Sequence, residues 1–229
     1  MNKDKFVSVV VALLGTAIVV GLYHFYYQSA YSRIYSQYLV GNLIALFWLP
    51  ILSILFLIRE NPEKFGLCLC SSKRIWAIIG ISFVGLLVLM LTVARWQAYQ
   101  NYYPLFKMYP EFASAFSNYP KENPFVTAPL LMVFAEISYG MYLFCWEFFF
   151  RGYLLFGLSR SIGWSAILVQ AAAFGLLHLG KPATEVVASF GAGVILGIIA
   201  LNAKSFIPGF VLHWAASLTF DFLVVAWRA

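Results

Sequence analysis

Charge is what this sequence has least of. Only 10% of its 229 residues are Asp, Glu, Lys or Arg, while 62% are hydrophobic; a water-soluble domain carries about 25% charged residues. So little charge cannot cover a water-facing surface. That excludes a soluble globular enzyme, a disordered region and a fibrous protein. Acids are the scarcer sign, nine against 15 Lys and Arg, for a net charge of +6. The basic residues are scattered, which excludes a nucleic-acid surface and suits anionic headgroups and basic inner loops. Three cysteines (Cys68, Cys70 and Cys145) are too few for a disulfide framework or a four-cysteine metal site. Cys68 and Cys70 precede an apolar run and are candidates for reversible acylation. Internal repeats, low-complexity segments and a His-Glu-x-x-His zinc-peptidase signature are all missing.

What the chain does have is apolar length. A membrane-spanning helix needs about 20 apolar residues. Residues 6–23, 39–58 and 75–94 qualify, with Pro50 a candidate kink in the second. The first run is longer than a signal-peptide core and lacks a small-residue cleavage site, so it reads as a retained span. Residues 95–127 are polar, broken by four prolines and rich in Tyr and Phe, which suits a headgroup-level belt or a short interfacial helix. Apolar character then returns. Residues 130–159 form either one long tilted helix or one broken near Gly140. A turn at Gly163 leads to a helix over 164–179. After Gly180-Lys181-Pro182 comes another over 185–202, where Gly191, Gly193 and Gly197 permit close approach. Pro208 opens a last helix that ends near Trp227. The expected fold is all-α, a polytopic bundle of about seven spans (six to eight) in one membrane unit. Residues 1–128 hold three spans and the aromatic segment; residues 129–229 hold the helical core.

Lys and Arg in the connections set the topology. With the N-terminus inside, the inner segments hold Lys3, Lys5, Arg59, Lys64, Lys73, Arg74, Arg160 and Lys204. The outer ones hold Arg33, Arg95, Lys107, Lys121, Lys181 and Arg228. The excess favours an inside N-terminus.

Ionisable groups inside apolar helices are expensive and are functional candidates by default. Glu147 and Arg151 share a helix face at i, i+4. They are either a self-neutralised structural pair or part of a site. Glu147 lies 15 residues before Ile162 and His178 lies 16 after it. Each is therefore roughly 22–24 Å from the same turn, and an antiparallel hairpin brings both to one depth. A carboxylate facing an imidazole can activate water. His213 lies only roughly 10 Å into the last helix, so a preceding loop that dips into the bundle, or a tilt, is needed to bring it level. Ser217 and Asp221 follow it at i+4 and i+8. Asp221 is roughly 22 Å in, or interfacial if that helix is short. Glu136 lies three turns before Glu147 and is either a supporting acid or a capping residue.

The run Glu147-Phe-Phe-Phe-Arg151-Gly152, then Phe174-x-x-x-His178, then His213 resembles the CPBP family. This is the CAAX-protease and bacteriocin-processing (Abi) group of intramembrane proteases. Its three motifs are EExxxR, FxxxH and HxxxN or HxxxD, on successive helices. The resemblance covers about residues 129–225. It implies a helical intramembrane endopeptidase of glutamic type, in which a glutamate and a histidine activate water and a second histidine with a polar neighbour stabilises the oxyanion. Glu147 and Arg151 match the second Glu and the Arg of the first motif, and His178 and His213 match the other two histidines. Two positions depart. Trp146 stands where the first motif has its first Glu, and Ser217 where the third has Asn or Asp. Either Glu147 has taken over as the catalytic carboxylate, or another acid (Glu185 first, Asp221 second) has moved in, or the chain is inactive. Lys181 and Glu185, at i, i+4, also suit a simple structural pair.

The expected function is cleavage of a protein or peptide substrate with a membrane-associated tail, with Glu147 and His178 activating water and His213 and Ser217 donating to the oxyanion. The expected cofactor is none. The metalloprotease alternative gives Glu147, His178 and His213 to zinc. The non-enzymatic alternative is a CPBP-like protein that binds a peptide or lipid tail in immunity or scaffolding. The segment around Trp146 is similar to bacterial sorting-type branches, which implies a bacterial cytoplasmic membrane. The expected partners are the bilayer and that substrate, not nucleic acid.

Overall fold

A computed structural model describes residues 2–28 and 34–228; Arg33 lies outside the described residues. It is an all-helical bundle. The helices are α1 (Lys3–Gln28), α2 (Tyr35–Ile58), α3 (Lys73–Val93), α4 (129–162), α5 (Ala166–Leu176), α6 (Ala183–Ala203) and α7 (Ile207–Arg228). Six stretches are long and apolar enough to cross a membrane, of which Pro129–Leu176 holds both α4 and α5. Gly163, at φ 55°, makes the turn between these two and folds them into a hairpin.

Two helices widen into π-turns, one of them on either side of its candidate kink. In α2, Pro50 removes an N–H from the ladder, and the helix runs as π-turns over Ile44–Trp48 and Ser53–Ile58 on either side of it. α4 does not break at Gly140. It continues as α-helix to Glu147 and then loosens into a seven-residue π-helix, Phe148–Leu154. Such a widening rotates the side chains beyond it, and π-segments concentrate at functional sites.

Close packing follows the small residues. A Cβ on Gly193 or Gly197 would come within 2.8 Å of α5 atoms at Ala171 or Gln170, so α6 lies tight on α5; Gly191 faces open space. The aromatic segment 95–127 is not a peripheral belt. It forms a short helix, Gln97–Tyr102, and several turns whose rings drive into the bundle. Phe106 and Phe112 are fully buried against Tyr35, and Phe106 meets Tyr139 edge-on at 5.8 Å. Rings in this segment bury large apolar area wherever gaps between helices admit them.

One end of the bundle is tied by charge. Glu60, with its side chain 4% exposed, accepts from Arg160 at 2.7 Å and pairs with Lys3 at 3.0 Å and Lys64 at 3.8 Å. The Arg160 hydrogen bond, opposed by burial and aided by Lys3, holds its carboxyl down to about 2. A carboxyl depressed in the fold contributes stability that is present above its unfolded pKa of about 4.3 and is lost as pH falls toward the folded value. Glu60→Gln is therefore expected to lower the melting temperature in detergent at neutral pH and to flatten the loss of stability between about pH 4.5 and 2. Thermal unfolding across that range checks it; an unchanged acid limb would assign that loss to other carboxylates.

Candidate active site

The site grows from the end of α5. A helix leaves its last carbonyls without N–H partners. The His178 amide turns to Gly175 O at 3.0 Å, which frees Phe174 O to accept from His178 Nδ1 at 2.8 Å. That hydrogen bond puts the proton on Nδ1 and leaves Nε2 as a lone-pair acceptor. The i, i+4 spacing of Phe174 and His178 is thus a tautomer lock. Helix α5 has only 11 residues, about 16 Å, so it stops inside the bundle and His178 is 6% exposed there.

α4 supplies a buried ion pair. Glu147 and Arg151 are both fully buried, and Arg151 Nη1 donates to Glu147 Oε1 at 3.2 Å. The guanidinium lies 3.9 Å over the Phe174 ring, a cation–π contact that replaces water as its neighbour. The same Glu147 oxygen receives His213 Nδ1 at 2.8 Å. His213 reaches this depth because the turn before α7 is sunk in the bundle. Ser205 and Phe206 are fully buried, and the Phe206 ring packs on Phe144 and Phe148 at 5.2 and 5.6 Å. The dipping loop supplies what the 10 Å reach of His213 lacked. One acid, one guanidinium and one imidazole from α4 and α7 therefore form a single chain of contacts.

The hairpin does bring α4 and His178 level, but the facing residue is Trp146. Its ring meets the His178 ring edge-on at 5.6 Å and Phe174 at 5.7 Å. Glu147, one residue on, turns to α7 instead.

His178 and His213 line one cavity of about 480 Å³ with Phe174, Glu185 and Ser189. Glu185 is the sole acid in that lining among the described residues. It accepts from Tyr103 Oη at 2.7 and 2.8 Å and from Lys181 Nζ at 2.8 Å, so the i, i+4 ion pair exists and its carboxylate still borders the histidines. A smaller adjoining cavity of about 220 Å³ holds Ser217 with His213, Glu185, Tyr103 and Tyr139. Asp221 lies elsewhere. It is 2% exposed and Glu136 of α4 is 5% exposed, so both carboxyls are buried within the bundle. Tyr103 and Tyr139 went unnoticed in the sequence because they lie in a tyrosine-rich region where no motif singles them out.

Glu147, His178 and His213 do not converge as a metal-ligand set. Glu147 Oε1 is occupied by Arg151 and by His213 Nδ1, and no group of three His, Cys, Asp or Glu side chains suited to a metal occurs among the described residues.

Residues 122–219 match the family described as type II CAAX prenyl endopeptidase Rce1-like. The segment belongs to the CPBP, or CAAX-protease, family. The CPBP segment contains α4 to most of α7, and with them Glu147, Arg151, His178, Glu185, His213 and Ser217; Tyr103, Asp221 and α1 to α3 lie outside it. No curated protein and no solved structure matches the chain.

The buried pair makes a measurable prediction for this CPBP core. Removing one partner of a buried ion pair leaves an uncompensated charge and costs about 3–5 kcal/mol, whereas replacing both is far milder. Arg151→Met alone is expected to destabilise by that amount, and Glu147→Gln with Arg151→Met to recover much of it. Denaturant unfolding in detergent checks the cycle. Additive losses would show that the two groups are not coupled.

Proposed function

We propose that this protein is an intramembrane endopeptidase in which the two histidines handle the proton and the oxyanion, and Glu147 positions one of them. The observation that carries this reading is the pairing of two locked imidazoles in the wall of one cavity. His178, with Nδ1 donating to Phe174 O, offers Nε2 as the general base. It takes a proton from a water held in the cavity. The hydroxide oxygen bonds to the substrate carbonyl carbon, and His178 returns the proton to the leaving amine as the C–N bond breaks. His213, with Nδ1 held by the Glu147 carboxylate, turns Nε2 toward the cavity and, when it carries both ring protons, donates Nε2–H to the oxyanion. Ser217, one turn further along α7, adds a hydroxyl on the same side. Glu185 orients the water from the opposite wall, where Tyr103 and Lys181 hold it.

Glu147 is not the base in this scheme. Its carboxylate is fully buried, it does not line the histidine cavity, and its Oε1 is already taken by His213 and Arg151. The chemistry runs on side chains already in place without metal, so a chelator is expected to leave the rate unchanged. The substrate is a protein or peptide with a membrane-associated tail. The charge cluster at Lys3, Glu60, Lys64 and Arg160 faces inward with the N-terminus, as in a bacterial cytoplasmic membrane, and the histidine cavity lies toward the opposite, Lys181 end.

One observation favours a second reading, a CPBP-like protein that binds a tail without cutting it. Trp146 covers a flank of His178 where the family motif has an acid.

Mass spectrometry of membrane-protein C-termini distinguishes the two, comparing cells carrying the native chain with cells carrying His178→Ala, His213→Ala or Glu185→Gln at matched levels. Tails cut by the native chain are expected to stay intact with His178→Ala and His213→Ala, with rates in liposomes down about 10²–10⁴-fold. The Glu185→Gln variant is expected to fold and to lose rate. Identical C-termini in all four strains would establish the binding reading.

A further inference from the structure

His213 meets Glu147 only if α7 stands at one depth. Its Nδ1 lies 2.8 Å from Glu147 Oε1, and such a hydrogen bond is lost by about 3.6 Å. Each residue of α7 advances about 1.5 Å along the axis, so the helix must be held to within roughly half a residue. Apolar packing does not fix a depth so finely. Lipid is as apolar as the bundle. The Phe206 ring, at 5.2 Å from Phe144 and 5.6 Å from Phe148, sits well inside the range of about 4.5–7 Å that aromatic pairs tolerate. Hydrogen bonds do fix the depth, and they come from outside the CPBP segment. The loop between α2 and α3 crosses the end of the bundle that carries Glu60 and Arg160, from α4 to the turn before α7. On the α4 side Phe65 is fully buried, stacks on Tyr153 at 6.0 Å and lies 5.0 Å beneath the Arg160 guanidinium. Gly66 follows at φ 76°, where a Cβ would come within 2.6 Å of the Phe156 ring. On the α7 side Gly66 O accepts from Phe206 N at 3.3 Å, Cys68 O accepts from Ser205 Oγ, and Cys68 Sγ donates to Lys204 O at 3.2 Å. Ser205 Oγ also accepts from Ile207 N, the first N–H of α7, at 3.1 Å.

We propose that this loop is a depth clamp for α7 and that Ser205 is its positioning residue, setting His213 against Glu147. The catalytic consequence rests on the endopeptidase reading and deepens it; the clamp itself does not depend on that reading. Ser205 is fully buried, and its hydroxyl works in both directions, as donor to the loop and as acceptor from α7. Backbone sunk among helices must find its partners within the protein. The loop supplies them at Lys204, Ser205 and Phe206 in succession, so a slip of α7 by half a residue strains all three bonds together. The loop is itself seated on α4, the helix that carries Glu147. The two helices that make the Glu147–His213 contact are therefore held in register by a segment that contributes no residue to the site.

Ring nitrogens test this without any assumption about cleavage. The chain has three histidines. Labelled with 15N-histidine in detergent micelles, the full chain gives three imidazole spin systems, assigned with His24→Ala, His178→Ala and His213→Ala. Ser205→Ala and Gly66→Ala attack the clamp from its two sides. Both are expected to move the His213 Nδ1 resonance and to leave that of His178 in place. Ser8→Ala removes a buried serine bond of the same kind, to Gly157 O at 2.8 Å between α1 and α4, and is expected to keep the native His213 resonance. In liposomes the two clamp variants are expected to lose kcat by about tenfold or more, as an oxyanion donor is displaced, with KM within about twofold of native. A native His213 resonance in folded Ser205→Ala and Gly66→Ala would overturn the proposal. So would a change in Ser8→Ala as large as theirs. Ser205→Ala alone decides if Gly66→Ala does not fold. Absence of cleavage by the native chain would remove the endopeptidase reading while the ring nitrogens still decide the clamp. Native cleavage with unmoved resonances in both variants would remove the clamp and leave the mechanism.

Discussion

The structure is organised around one buried negative charge. Glu147 is completely enclosed, and three groups answer it: Arg151 from its own helix, His213 from α7, and, through the guanidinium, the face of Phe174 from α5. A lone carboxylate in such a place would be prohibitively costly. The helices that bring these partners are therefore bound to one another by the need to satisfy it. The site's geometry is a by-product of that need. Holding Arg151 against Phe174 fixes the ring whose carbonyl locks His178, and holding His213 against Glu147 aims its free nitrogen at the same cavity. Glu147 Oε2 and Arg151 Nε and Nη2 remain without protein partners, so the cluster is held together at some cost in unsatisfied polar groups. Rigid placement of two imidazoles is what that cost secures.

The same economy explains where the helices are irregular. The π-turn of α4 begins at Phe148, one residue after the buried acid, and includes Arg151. α5 stops after three turns, so that its unsatisfied carbonyls end beside the cavity and not at a membrane surface. The turn before α7 sinks until Phe206 packs on α4. These three departures from a straight membrane-crossing helix lie at or next to the polar cluster, whereas the π-turns of α2 flank Pro50. α1, in contrast, runs as uninterrupted α-helix over 26 residues and carries no part of the site. Irregular backbone at membrane depth is tolerated where protein buries it, and this bundle places it nowhere else that matters to the chemistry.

Much was legible from patterns of short range. Apolar run lengths located the helices, Gly163 and the Gly-Lys-Pro turn separated them, and i, i+4 spacing paired Glu147 with Arg151 and Lys181 with Glu185. Counting residues from Gly163 placed α4 and His178 at one depth. What failed was choosing which residue of α4 faces which partner. Near-equal depth is shared by Trp146 and Glu147, and a difference of one residue turns a side chain by about 100° around the helix. Counting along the chain carries no information about that rotation. The aromatic segment left a related choice open: its composition suits an interface equally well whether the rings lie on the bundle or enter it.

The sequence by itself determined the class of the protein, because scarcity of charge and runs of apolar residues leave no alternative to a helical membrane bundle. It also determined the chemical inventory, since ionisable groups so few and so deeply placed are conspicuous. Only the tertiary structure decided their roles. It buried Glu147 behind His213, set Trp146 against His178 and brought Glu185 to the cavity that the two histidines line. Those outcomes depend on helix rotation and on the depth of two turns. All are set by packing between segments distant in sequence, where no local pattern records them.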